Sequence, residues 1–206
     1  MPSYPLTMPT NVGIKTSEFG LVRSVGLTVS PFTGQQQTYL NSLALWRAVY
    51  NLPLMNRQRA SEWMSFLSEL NGRYGTFLAG DQDCKTIQGV ASGTILVNGE
   101  HSIGATSIAM DGFALSTNNV FKKGDYLQFG SGSSSKLHIV TANANSNASG
   151  QSNIEIQPPL KTALSDNSSV TYTNTKAVFR LDENNVNWQA NETGLFSISF
   201  SCTESI

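Results

Sequence analysis

The sequence feature that most limits the possible folds of this chain is a series of short β-prone runs. Each run is followed by turn-forming residues. The runs lie at 93–97, 107–110, 126–129, 137–141 and 153–156. Asn98-Gly99 follows the first run directly, and Asn-Gly between apolar runs is a strong signal for a hairpin turn. Several short strands with regular turns are typical of a small barrel or sandwich. The sequence therefore predicts a small β module in this region.

Two longer extended stretches precede that region. Residues 19–29 alternate in polarity as a strand does, and the run 30–34 contains the Pro and Gly of a turn. Around Trp46, aromatic and β-branched residues again alternate with period two, which favours a second strand ending near Pro53. A short helix over 40–49 is an alternative reading of the same stretch.

One amphipathic helix is predicted over about 56–71. Asn56 is a favourable N-cap, because its side chain accepts backbone N–H groups that lack a partner in the first turn. Gly72 supplies the left-handed conformation that commonly ends a helix. Between them lies an apolar stripe at spacings of three and four, which consists of Ala60, Trp63, Met64, Leu67 and Leu70, with Phe66 beside it.

The end of the chain predicts further strands at 170–173, 177–181 and 195–202. In the last of these, Phe196, Ile198, Phe200 and Cys202 alternate with small polar residues and form one apolar face. Cys202 is therefore expected to be a core residue. Cys202 and Cys84 are the only cysteines, and both are expected to be free thiols.

Three segments are expected to lie outside the core. Residues 1–18 lack a clear period and are expected to form an extended arm, either along a neighbouring subunit or as a tethered terminus. The Gly/Ser-rich segment 130–135 and the Asn/Ser-rich segment 143–152 are expected to be flexible, exposed loops.

The composition favours assembly and argues against several classes of partner. Charged residues make up 13% of the chain, about half of the roughly 25% found in typical proteins, and uncharged polar residues replace them. The net charge of −1 gives no general attraction to nucleic acid. The chain has no apolar run long enough to span a membrane and no N-terminal signal pattern. We therefore expect the protein to be made and assembled in a cytoplasm.

No sequence pattern indicates catalysis or a cofactor. His101 and His138 are the only histidines, and the chain lacks the nucleophile elbow, zinc-protease and phosphate-loop motifs. Asp81-Gln82-Asp83 could open a calcium loop, but the later ligand positions are not filled by oxygen-bearing acids. We expect a protein that is not an enzyme and binds neither metal nor cofactor.

Several short motifs occur in an order that resembles a known family. They are Ser30-Pro31-Phe32-Thr33-Gly34-Gln35-Gln36-Gln37, Trp46, Leu52-Pro53-Leu54-Met55, the helix, Leu70-Asn71-Gly72-Arg73-Tyr74-Gly75-Thr76-Phe77, and Leu195-Phe196-Ser197-Ile198-Ser199-Phe200 at the end. Over 1–80 and 174–206 the chain is similar to distal tail proteins of bacteriophages, which are ring-forming adaptors below the tail tube.

The resemblance implies a mainly β protein with two domains. A β-sandwich ring domain would consist of 1–84 plus 174–206, and 85–173 would be an inserted small β-barrel or sandwich. It implies a virion protein that forms a ring, with a hexamer favoured, between the tail tube and the tail-tip or hub proteins. Candidate subunit contacts are Tyr4, Leu6, Phe32, Arg57 and Arg59.

Two other functions are weighed beside this one. The inserted module could bind a carbohydrate or receptor, with Trp188 as a possible glycan contact because it is the one tryptophan not placed on an apolar face. A small hydrolase would require His101 or His138 beside a nucleophile.

Overall fold

The computed structural model describes residues 3–206, except for the side chain of Ser42, and shows a mainly β protein with 40% strand and 8% helix. The predicted fold class is confirmed: one helix accompanies more than one sheet, including a nearly closed, barrel-like sheet. The elements are β1 (Leu6–Thr7), β2 (Thr16–Val29), β3 (Gln36–Asn51), α1 (Arg57–Glu69), β4 (Phe77–Ala79), β5 (Leu96–Val97), β6 (Ser107–Asp111), β7 (Tyr126–Phe129), β8 (Lys136–Val140), β9 (Ser152–Gln157), β10 (Val170–Thr171), β11 (Ala177–Leu181), β12 (Trp188–Ala190) and β13 (Phe196–Glu204).

The larger sheet combines strands from the two ends of the sequence. Its order is β1-β4-β11-β13-β3-β2, and β12 pairs with the start of β13. β13 crosses its middle, antiparallel to both β3 and β11. The strands nearest the C-terminus therefore hold the N-terminal strands together, and strand β2 lies at one edge.

Alternation along the strands gives this sheet one apolar face. On β3, Trp46, Ala48 and Tyr50 are buried, and on β13 Phe200 and Cys202 are buried beside them. Tyr50 pairs with Phe200 and Ala48 with Cys202, so these side chains share a face. The prediction that Cys202 is a core residue is confirmed.

Helix α1 covers one part of this face. Asn56 caps it as predicted, its Oδ1 accepting the backbone N–H of Arg59 at 3.1 Å. Trp63 packs on Phe200 and Phe66 packs on Phe77, with ring centroids 6.1 and 5.6 Å apart. The apolar stripe read from the sequence is thus the face that binds the sheet, with Ala60, Trp63, Phe66, Leu67 and Leu70 buried.

The second sheet is formed by residues 96–171 and curls into a barrel-like module. Its order is β10-β7-β8-β9-β6-β5, and a bridge between Leu96 and Ser169 brings the two outer strands together. The module encloses its own apolar core, which includes Ile108, Phe121, Leu127 and Ile154. Inward-facing residues of short strands fill a small barrel in this way.

The module rests on the same face of the larger sheet as α1. Tyr126 lies against Trp46 and Phe19, with ring centroids 5.6 and 6.1 Å apart. The indole N–H of Trp46 donates to the carbonyl oxygen of Leu137 at 2.8 Å. Strands β7 and β8 therefore contact both the barrel core and the sheet.

Several sequence-based predictions are corrected by these elements. The alternative of a short helix over 40–49 is wrong, because β3 continues through that segment. Strand β4 begins only at Phe77, because residues 70–75 form turns closed by hydrogen bonds such as that from the Gly75 N–H to the Leu70 carbonyl. β1 and β12 were missed because strands of two or three residues carry too little periodicity to be recognised.

The segment 143–152 differs most from its prediction as a flexible, exposed loop. Ala144 and Ser146 are buried in it, and Ala144 is part of the module core. Ser135 in the segment 130–135 is buried as well. The predicted domain boundaries, near residues 84 and 174, fall between the two sheets in the sequence and stay a prediction.

Candidate functional site

A two-stranded ribbon, residues 24–43, extends beyond the layered part of the protein. β2 and β3 pair from Thr16–Asn51 to Val29–Gln36, with an irregularity in the register just after Arg23. β13 pairs with β3 only from Arg47 to Asn51. Past that point no third strand accompanies β2 and β3 among the described residues.

The tip of the ribbon is a turn closed by two backbone hydrogen bonds. The N–H of Ser30 donates to the carbonyl oxygen of Gln35 at 2.9 Å, and the N–H of Gly34 donates to that of Ser30 at 3.0 Å. Gly34 has φ +68°, a left-handed conformation that glycine adopts without the steric cost of a side chain. The predicted turn at 30–34 is confirmed.

The register defines which backbone groups of the ribbon are free. Bonded and non-bonded residue pairs alternate along an antiparallel ladder, so Thr28 and Gly26 face β3 as Ser30 does. Val25, Leu27 and Val29 therefore direct their N–H and C=O groups away from β3. By the same alternation, Gln36, Thr38 and Leu40 direct theirs away from β2. Both edges of the ribbon present unpaired backbone groups.

The ribbon also carries a concentration of exposed apolar side chains. Of the fifteen exposed large hydrophobic residues in the described part of the chain, eight lie between positions 22 and 43. They are Val22, Val25, Leu27, Val29, Phe32, Tyr39, Leu40 and Leu43. Phe32 at the tip is 94% exposed and Leu40 is 68% exposed. Single exposed apolar residues are ordinary, but a contiguous group marks an interaction surface.

This surface is uncharged along its whole length. From Ser24 to Trp46 the sequence contains no Asp, Glu, Lys, Arg or His, and Arg23 and Arg47 stand just outside. Lysine and inward-facing charges are the usual protection of a free sheet edge. The ribbon lacks both, so it has the chemistry of a surface that another protein covers.

The contact residues predicted from the sequence are spread over the molecule. Tyr4 and Leu6 lie on their own subunit: the Tyr4 hydroxyl donates to the Glu69 carbonyl at 2.7 Å, and Leu6 pairs with Phe77 in the sheet. Arg57 and Arg59 are exposed at the start of α1. Of the five predicted contacts, only Phe32 belongs to the ribbon.

Sequence reasoning missed most of the ribbon residues, although a signal was present. Residues 19–29 were recognised as a strand, but nothing in an alternating pattern says whether a strand is covered. The uncharged segment between Arg23 and Arg47 was the available signal, because an exposed strand normally carries charge on its outward face.

Trp188 lies on β12, opposite Ile198 of β13, and is 44% exposed. It therefore belongs to the larger sheet and not to the barrel-like module that was proposed to bind a glycan. The structure does not bring Trp188 together with the Asn/Ser-rich segment 143–152, which lies in the module.

The two histidines have structural hydrogen bonds. His138 is buried, and its Nδ1–H donates to the carbonyl oxygen of Pro158 at 2.7 Å. Burial lowers the pKa of His138 to about 4, and the nearby ammonium groups of Lys161 and Lys136 act in the same direction. His101 accepts the backbone N–H of Ala109 on its Nε2 at 3.2 Å. Each ring is thus held by backbone groups of its own module.

A buried ion pair joins the module to the larger sheet. The Lys161 ammonium donates to Oε2 of Glu204, which also accepts the backbone N–H of Trp46 at 3.1 Å. Beside it, the Lys136 ammonium donates to the carbonyl oxygen of Ser205 at 3.1 Å. Burial lowers the pKa of Lys161. Removing one partner of such a pair leaves an uncompensated buried charge, so this cluster fixes the module on the sheet.

The acidic side chains and the cysteine that were considered as metal ligands do not form a metal site. The carboxylate of Asp81 accepts the N–H of Asp83 at 3.1 Å, so Asp81-Gln82-Asp83 has the hydrogen bonding of a turn. Within residues 3–206, no three His, Cys, Asp or Glu side chains converge as a metal site would require. Cys84 is an exposed free thiol, and partial desolvation together with the negative charge of Asp81 raises its pKa.

Across residues 3–206, no helix combines the length and apolar character needed to cross a bilayer. The sequence matches no protein-family model, and no curated protein matches it significantly. The chemistry of the ribbon, the sheet and the module is accordingly the basis for a functional proposal.

Proposed function

We propose that this protein is a structural virion subunit of a bacteriophage tail, in which copies assemble into a ring or adaptor at the distal tail or baseplate. The ring would lie between the tail tube and the tail-tip or hub proteins, and the protein acts through shape-matched contact and performs no reaction. The resemblance of residues 1–80 and 174–206 to distal tail proteins suggests this place in the tail.

The observation that carries the proposal is the uncharged, apolar ribbon at residues 24–43. A free two-stranded hairpin is marginally stable in water, and the seven exposed large apolar residues between positions 24 and 43 add to the cost of leaving it uncovered. A subunit that functions only within an assembly resolves both problems, because its neighbours cover the ribbon. The low proportion of charged residues, 13%, fits a chain whose surface is largely covered by other protein in an assembly.

The rest of the fold suits a rigid building block. The larger sheet is tied together by β13, and the module is fixed to it by the Glu204–Lys161 pair and the Trp46–Leu137 hydrogen bond. Such a body holds the ribbon in a constant orientation, and a heterologous interface closes into a ring only when every copy presents it at the same angle.

The proposal is tested by measuring mass. Native mass spectrometry of the purified protein, over a range of concentrations, should give a closed oligomer with a hexamer favoured, and peptide mass spectrometry of purified phage particles should detect the chain. A stable monomer at every concentration that is also absent from particles would overturn the proposal.

A second candidate function, binding of a carbohydrate or receptor, is favoured by the exposed indole of Trp188. Aromatic faces are common platforms for ligands with apolar faces. If this function is correct, a glycan array should show saturable binding that Trp188→Ala abolishes. Saturable binding that survives in Trp188→Ala would place the glycan contact elsewhere on the protein. No binding at all would leave only the structural role.

A further inference from the structure

The two free edges of the ribbon present complementary backbone hydrogen-bonding groups. One edge, formed by Val25, Leu27 and Val29, offers free N–H and C=O groups at every second residue. The other edge, formed by Gln36, Thr38 and Leu40, offers the same groups at the same spacing. Each edge is therefore a template for the opposite edge of an identical ribbon.

We propose that the occupant of each free edge is the ribbon of a second copy of this chain, and that β2 of one copy hydrogen-bonds to β3 of the next. The inference rests on the proposed function, since it describes how neighbours in a ring are joined. It assigns the contact to backbone pairing along residues 25–29 and 36–40.

Symmetry determines the direction of this pairing. Neighbouring copies in a ring are related by rotation about one axis, so their ribbons run in the same direction. Within each ribbon β2 and β3 are antiparallel. Strand β2 of one copy therefore lies antiparallel to β3 of the next, which repeats the pairing inside the ribbon. Closure of the ring then leaves no free strand edge in this part of the assembly, as in a barrel.

The side chains are compatible with a self-complementary contact. Like charges on the β2 and β3 edges would repel each other, but the segment between Arg23 and Arg47 has no charged residue. Val25 and Leu40 lie opposite each other within the ribbon, and Leu27 and Val29 share their face. Side-by-side ribbons would place the Val25–Leu40 pairs of successive copies next to one another in one apolar row, and would bury more of that row than one ribbon can.

The variant Leu27→Pro tests the proposed edge pairing and leaves the hydrogen bonds inside the ribbon in place. Proline lacks the N–H that Leu27 directs to the free edge, while the hydrogen bonds inside the ribbon involve Gly26, Thr28 and Ser30. The matched control is Leu27→Ala, which also loses the leucine side chain but keeps the N–H. Thermal unfolding monitored by circular dichroism should give the same midpoint for both variants.

Assembly should distinguish the two variants. Native mass spectrometry should show the oligomer for the wild type and for Leu27→Ala, and monomers for Leu27→Pro at the same concentration. An oligomer that persists in Leu27→Pro would overturn edge pairing while the proposed ring function stands. A wild type that is itself monomeric and absent from particles would instead overturn the proposed function.

Cysteine crosslinking tests which edges meet. In a Cys84→Ser background, protein carrying only Leu27→Cys is mixed under oxidising conditions with protein carrying only Gln36→Cys, Thr38→Cys or Leu40→Cys. The proposal predicts disulfide-linked dimers in at least one mixture and none with Leu27→Cys alone. Efficient dimers of Leu27→Cys alone would show that β2 pairs with β2, and would overturn the proposed order.

Discussion

The ribbon at 24–43 and the loop at 143–152 have environments opposite to what their compositions suggest. The ribbon contains Val25, Leu27 and Leu40, and all three are exposed. The loop consists almost entirely of Asn, Ser, Ala and Gly, yet Ala144 and Ser146 are buried in it.

The loop is ordered by hydrogen bonds from its small polar side chains to backbone groups. The Ser146 hydroxyl accepts the N–H of Thr117 at 2.8 Å, and Asn145 accepts the N–H of Asn119 at 2.7 Å. Asn147 accepts N–H groups of Ser149 and Gln151 at 2.8 and 3.0 Å. In the ribbon each strand has backbone hydrogen bonds on one side only, and no element of the described residues 3–206 packs over it. The comparison shows that burial depends on which partners are near, and composition alone does not decide it.

The largest effect is expected when Gly150 is replaced by valine. Gly150 has φ +72°, and a Cβ there would lie 2.5 Å from the carbonyl oxygen of Phe113. Backbone strain and the clash should together lower the free energy of unfolding by on the order of 4 kcal/mol. Chemical denaturation followed by circular dichroism measures this loss. Gly132→Val is the matched control, because Gly132 also has a positive φ but nothing within 4 Å of its Cβ position; an equal loss in both would refute the close packing of the loop.

Acidification should weaken the module and leave the ribbon unaffected. The folded-state pKa of His138, about 4, is below the ordinary value of 6.5. The neutral imidazole therefore contributes stability that is complete above pH 6.5 and is lost as the pH falls from 6.5 to 4. The difference corresponds to on the order of 3 kcal/mol.

The measurement is the pH dependence of unfolding in the wild type and in His138→Gln. Because carboxylates such as Glu204 also titrate at low pH, the informative quantity is the difference between the two proteins. The wild type should lose more stability than His138→Gln between pH 6.5 and 4, and parallel curves would contradict the assignment. The ribbon, with no charged residue from 24 to 46, should keep its oligomeric contacts while the fold persists.

A smaller effect is expected for Ser146→Ala. The substitution leaves the Thr117 N–H and the Ala114 carbonyl oxygen without the Ser146 hydroxyl, in a buried site. Loss of such a hydrogen bond should cost about 1–3 kcal/mol of unfolding free energy. Ser149→Ala, at an exposed position three residues away, should change the stability by less than about 0.5 kcal/mol. Equal effects would mean that the loop is as loosely held as its composition suggests.

The smallest effect on monomer stability is expected for Leu40→Ser in the ribbon. Because Leu40 is 68% exposed, its loss should change the unfolding free energy of the isolated subunit by less than about 0.5 kcal/mol. Leu127→Ala in the module core should cost about 2–5 kcal/mol by comparison. A large destabilisation of the monomer by Leu40→Ser would show that the ribbon is covered within its own subunit.

Much of the fold was predictable because its signals are local. The helix was recognised from Asn56, the apolar stripe and Gly72, and most strands of the module from their turns. The candidate site was predictable only at Phe32. Tyr4 and Leu6 look like free arm residues in the sequence, and only the strand pairing of Leu6 with Phe77 places them on their own subunit.

The sequence by itself determined the local structure: where the chain turns, where it is helical and which residues of each strand share a face. These properties depend on the conformational preferences of neighbouring residues and on the periods of helix and strand. The tertiary structure alone decided that β3 is covered at Trp46 and exposed at Leu40, because the module packs against the sheet at Trp46 and not along the ribbon. Whether a strand is covered depends on contacts with segments that are far away in the sequence, and a local sequence pattern does not predict such contacts.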